Sequence, residues 1–82
     1  MASTGLVSFR EILEMLRVCA PGARIVPKLH RNWVLFNGLT YRNLPLGKHG
    51  ARKNPEIEVG HVRSMARHLG ILDCAKTQIA LL

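Results

Sequence analysis

Four histidines, His30, His49, His61 and His68, are the side chains of this sequence best suited to move a proton near neutral pH, because an unperturbed imidazole titrates at about 6.5. Two of them sit among cations. His30 stands between Lys28 and Arg31, and His49 follows Lys48 and precedes Arg52 and Lys53. A proton-transfer group in a field of positive charge suits chemistry on an anionic, phosphate-bearing ligand. The plainer reading of His30 is a half-exposed strand residue with one hydrogen bond, and that of His49 is a solvated loop-tip residue. His61 and His68 are seven apart and share a helix face. With no third ligand of the right type nearby they make no metal site, and no metal or cofactor is expected. Arg63 and Arg67, one helical turn apart, can straddle a phosphate or simply be solvated. Trp33 is the sole tryptophan. It can stack on a base, but a large aromatic in a short strand is expected to pack into the core.

The charge that surrounds these residues is unevenly placed. The chain of 82 residues carries a formal charge of +7. Residues 24 to 68 hold nine cations against Glu56 and Glu58, which is the whole excess, and the remaining residues hold three of each sign. Such a stretch concentrates anions and favours counterion release from a phosphate backbone. A polyanion, RNA before the others, is the expected partner; solubility or an acidic protein partner are the alternatives.

Elements must position these groups. With 48% hydrophobic residues the chain can bury a core, and its length suits one domain. Residues 1 to 7 read as a loose leader and 8 to 82 as the domain. Ser8-Phe9-Arg10-Glu11 is a capping box, so a helix is predicted from Phe9, with Val7 and Ile12 at the staple positions and Phe9, Ile12, Leu13 and Leu16 on its buried face. Ala20-Pro21-Gly22 ends it. Three β-prone segments follow: 24 to 29, interrupted by Pro27, then 33 to 36, then 39 to 44. Asn37-Gly38 predicts a tight hairpin, which pairs Phe36 with Leu39 and Val34 with Tyr41 on the better core face, and Leu35 with Thr40 and Trp33 with Arg42 on the other. Pro27 assigns the first segment to an edge or a bulge. Residues 45 to 55 read as a basic loop. A second helix is predicted from about Val59 to Leu69, burying Val59, Val62, Met65, Ala66 and Leu69, with Gly70 as its C-terminal cap. Asp73 is expected to cap a last, weaker helical turn through Ile79 to Leu82.

Cys19 and Cys74 have neither zinc-ligand nor CxxC spacing and read as two reduced, part-buried thiols of a cytoplasmic chain. No apolar run approaches the roughly 20 residues of a membrane span, and no secretory signal is read at the start.

The predicted order of helix, three-stranded antiparallel sheet and helix is that of the double-stranded-RNA-binding domain, an α+β fold that reads RNA by shape, phosphates and 2′-hydroxyls. In detail the sequence resembles the HicA (YcfA-like) family of toxins, which are mRNA interferases. Lys28-Leu29-His30-Arg31-Asn32-Trp33 stands where that family has its histidine motif, with Lys28-Leu29 in place of Gly-Ser. Leu44-Pro45 through His49 matches a Val-Pro-x-His stretch, and Glu58 to Met65 with Leu69-Gly70-Ile71 matches the family's second helix. The resemblance covers roughly residues 8 to 72. It implies a metal-independent endoribonuclease in which His30 is the catalytic histidine, with Lys28, Arg31 and Lys48 positioning phosphates. His49, which can supply the acid or bind a phosphate, and the cations Arg52, Lys53, Arg63 and Arg67 are added as RNA contacts by the charge of this stretch. The resemblance further implies mRNA as substrate and a HicB-like antitoxin as protein partner. Two other readings stand beside it: a non-catalytic RNA- or DNA-binding module of mobile-element or phage origin, and a basic adaptor docking an acidic protein through residues 48 to 53.

Overall fold

The computed structural model describes residues 5 to 45 and 54 to 82. Along the chain these form β1 (Leu6–Ser8), α1 (Phe9–Cys19), β2 (Arg24–Pro27), β3 (Arg31–Phe36), β4 (Leu39–Pro45), β5 (Glu56–Glu58), α2 (Val59–His68) and α3 (Leu72–Gln78). The class is α+β, with β2-β3-β4 as one antiparallel sheet and β1-β5 as a second, two-stranded one.

Helix α1 begins where its capping box places it. Ser8 Oγ accepts from the Glu11 amide at 3.1 Å, and the Ser8 amide donates to Glu11 Oε1 at 3.2 Å. Its buried stripe is Ile12, Met15 and Leu16; Leu13, expected inside, is 45% exposed. Met15 takes that place because the stripe continues i, i+3, i+4 from Ile12. Helix α2 buries Val59, Val62, Met65 and Ala66, and its cap residue Leu69 is buried as well. Gly70, at φ 74°, closes it. The Gly70 amide donates to Arg67 O and the Ile71 amide to Ala66 O, the paired bonds of a Schellman motif.

The Asn37-Gly38 turn forms as expected, with φ of 52° and 80° at the two central residues, the double positive φ of a type I′ hairpin. It fixes the β3-β4 register: Phe36 pairs with Leu39, Leu35 with Thr40 and Val34 with Tyr41. Beyond Val34 the register slips, so that Asn32 pairs with Leu44. One extra β4 residue is thereby accommodated opposite Trp33, which is a β-bulge. β2 is an edge strand, as Pro27 requires.

Three further expectations fail. The chain from Gly5 is no loose leader, because Leu6, Val7 and Ser8 pair with Glu58, Ile57 and Glu56. These two short strands run directly into α1 and α2 and supply acceptors for donors that a helix start leaves unpaired. The Phe9 amide donates to Pro55 O, the Val59 amide to Gly5 O, and the Arg10 amide to Asn54 Oδ1. Asp73 does not cap the last helix. α3 starts at Leu72 with Ile71 at its N-cap and no side-chain cap bond; Asp73 lies within its first turn, where an acid favours the dipole. Cys19 and Cys74 are not two separate thiols. They form a disulfide with Cα atoms 5.7 Å apart, because α3 folds back against α1 and brings together residues separated by 55 in sequence.

The core is one cluster drawn from both short strands, all three helices and the inner face of the larger sheet, where Val34 and Leu44 are fully buried. No described helix is long and apolar enough to cross a membrane.

Candidate nucleic-acid interface

Strand alternation divides β2-β3-β4 into two faces. Ile25, Val34, Phe36, Tyr41 and Leu44 point to the helices and the core. Arg24, Val26, Trp33, Leu35, Thr40 and Arg42 fall on the other face. Among the described helices α2 packs against β4, on the side of these core residues. Residues 24 to 45 contain Arg24, Lys28, Arg31 and Arg42 and no acidic residue, so nothing on this sheet offsets the four cations.

Trp33 is at the centre of the outer face and is absent from the core cluster, contrary to the expectation that it packs inside. The reason is parity: the Asn37-Gly38 turn aims Val34 inward, which aims its neighbour outward. The indole is instead flanked by cations. Lys28 Nζ lies 4.5 Å from its ring centroid and Arg42 Cζ 4.9 Å, both within cation-π range. Val26 pairs directly across from Trp33 on β2, and Arg24 pairs with Leu35.

His30 is at the tip of the β2-β3 hairpin, where the Lys28 amide donates to Arg31 O across a two-residue turn of Leu29 and His30. Its imidazole is exposed and, among the described residues, has no hydrogen-bond partner. Its carbonyl accepts from Arg31 Nη1 at 2.9 Å, which holds that guanidinium beside it. Leu29 at the same tip is 83% exposed.

The other candidates go elsewhere. Lys48, His49, Arg52 and Lys53 lie outside the described residues. Arg63 donates to Leu81 O at 3.2 Å, tying α2 to the chain's C-terminal turn, and Arg67 is exposed in the last turn of α2. Both are on the helix layer, across the sheet from Trp33. His61 faces Glu58 at 3.7 Å. His68 points back to the sheet, its Nε2 3.0 Å from Thr40 O and its ring 5.7 Å from that of Tyr41. The two therefore do not converge, and among the described residues no three metal-ligating side chains do so. Tyr41 is pushed above the ordinary tyrosine value by burial, partly offset by a hydrogen bond with Ser64. A shallow groove of about 360 Å³ between α1 and β2 is lined by apolar residues and Arg17, and offers no group for acid-base chemistry.

That Lys28 and Arg31 flank His30 is legible in the sequence; that a hairpin tip presents it is not. The cation pair on Trp33 was missed, although the expected Trp33-Arg42 pairing was its signal. In comparisons with known proteins, no family model, no curated protein and no solved structure matches this chain.

Proposed function

We propose that the protein is an RNA-directed endoribonuclease of the HicA type, and that α1-β2-β3-β4-α2 is a double-stranded-RNA-binding-domain-like arrangement carrying it. The observation behind this reading is an exposed histidine at the end of an acid-free, four-cation sheet: His30, with Lys28 and Arg31 on either side. In the reaction the His30 imidazole takes the proton of a 2′-hydroxyl. The 2′-oxygen attacks the adjacent phosphorus, and the bond from phosphorus to the 5′-oxygen breaks. The products are a 2′,3′-cyclic phosphate and a 5′-hydroxyl, whose proton is the one His30 took from the 2′-hydroxyl. Lys28 and Arg31 offset the charge that builds on the phosphorane. A HicB-like antitoxin with an acidic surface fits the same face, and masking His30 there accounts for neutralisation.

The lack of a hydrogen-bond partner for the His30 ring among the described residues favours a second reading, a non-catalytic RNA-binding module, since a catalytic base is normally oriented by another group. One experiment separates the two. Wild type and His30→Ala are induced from a repressed promoter, and growth and mRNA integrity are followed. The purified proteins are incubated with RNA in the presence of a chelator. Growth arrest, cleavage and cyclic-phosphate ends with wild type alone support the nuclease. Salt-sensitive binding without cleavage supports the module. Neither cleavage nor binding leaves the basic surface to an acidic protein partner.

A further inference from the structure

We propose that the outer face of β2-β3-β4 is a stacking platform for single-stranded RNA, with Trp33 receiving a base and Lys28, Arg42 and Arg24 receiving the neighbouring phosphates. This rests on the RNA reading above and adds to it the strandedness of the ligand and a binding residue away from His30.

Three observations carry it. First, Trp33 is on the middle strand, on the face that no described helix covers, and its ring is flanked by the side chains of two exposed cations. An indole in that position keeps a large apolar surface only partly withdrawn from water. Second, the magnitudes favour exchange. A cation-π contact at an exposed site contributes less than a base stacked on an aromatic ring. A base therefore displaces a cation from the ring, and the released ammonium or guanidinium finds a phosphate within reach of the same side chain. Third, the surroundings suit a nucleotide. Val26 and Leu35 supply an apolar floor beside the ring, and Arg24 and Arg42 lie on the two strands that flank β3. Strands are spaced about 4.8 Å apart, so these cations bracket the indole on both sides. No carboxylate occurs between residues 24 and 45 to repel the backbone.

The same chemistry selects against a duplex. Stacking needs the face of a base, and an A-form helix keeps those faces inside its own stack. A duplex can touch the cations but not the indole.

The test uses the full chain, whose single indole makes its emission a direct report on Trp33. It is titrated with a decamer of 2′-O-methyluridine, which lacks the attacking hydroxyl and resists cleavage, and separately with a thymidine DNA decamer and a blunt RNA duplex. Binding is read independently by the anisotropy of a labelled strand. The expected result is saturable quenching of Trp33 by the uridine decamer. Trp33→Ala then weakens its binding by roughly 5- to 150-fold, the equivalent of about 1–3 kcal/mol, while duplex affinity stays unchanged. Trp33→Phe, which keeps a stacking ring, loses much less and also shows that the site tolerates substitution without unfolding. If anisotropy reports binding but emission does not change, or if Trp33→Ala binds as wild type, the platform is refuted and the RNA reading survives. Tighter binding of the DNA decamer overturns the assignment to RNA. No binding of any strand at low salt overturns both.

Discussion

Trp33 and Val34 are adjacent in sequence, yet Val34 is fully buried and Trp33 faces outward between two cations. What separates them is the turn at Asn37 and Gly38, which sets the parity of every residue on β3. Gly38→Ala puts a Cβ on a residue at φ 80° and is expected to cost about 1–2 kcal/mol. For a chain of this size each kcal/mol lowers Tm by about 4–8 °C, so thermal unfolding followed by circular dichroism reads it directly; an unchanged Tm contradicts the turn assignment. Tyr41 offers a pH test. Its neutral phenol is favoured in the fold because burial raises its pKa. The unfolded chain ionises first, near pH 10, so this contribution to stability is fully present below about pH 10 and is lost as pH rises through the folded value. Tyr41→Phe is expected to remove that alkaline loss, measured as Tm between pH 8 and 11.

At the scale of elements, two ties hold the helices beyond the packing of α2 on the sheet. Strands β1 and β5 clamp the N-termini of α1 and α2, and Asn54 reaches across to the Arg10 amide at 2.8 Å. Truncating it in Asn54→Ala removes a helix-start acceptor and is expected to cost about 1 kcal/mol, read in a urea melt. The Cys19–Cys74 disulfide fastens α3 to α1. Closing a loop of 55 residues restricts the unfolded chain, and the chain-entropy relation puts that at about 4 kcal/mol. Reduction, or the double variant Cys19→Ser with Cys74→Ser, is expected to lower stability toward that figure and to speed amide exchange in α3 before α1. Equal stability with and without reductant argues against the tie.

For the whole molecule, the decisive feature is sidedness. One sheet separates a helix layer, where Arg63 is bonded to the C-terminal turn, from an outer face carrying Arg24, Lys28, Arg31 and Arg42. If those four cations engage phosphates, the slope of log affinity against log salt for single-stranded RNA is about −3. Arg42→Ala is expected to make it shallower by about 0.7, whereas Arg67→Ala, across the sheet, leaves it unchanged. Equal effects of the two variants would contradict a ligand confined to the outer face.

Local signals decided much of this protein from sequence alone. The Ser8 capping box, the Asn37-Gly38 hairpin, the Gly70 stop and the buried stripe of α2 all rest on interactions among residues a few positions apart, which short-range physics dictates wherever the chain goes. The concentration of cations around His30 was legible for the same reason. Tertiary structure alone decided the rest. The strands Leu6–Ser8 and Glu56–Glu58 are three residues each, too short to declare themselves by alternation, and become strands only because they pair across 50 residues. The disulfide needed α3 to fold back on α1. The environment of Trp33 needed a bulge and two neighbouring strands to bring Lys28 and Arg42 onto one ring. The strand pair and the disulfide are long-range juxtapositions whose partners carry no mark of one another until loop closure brings them together.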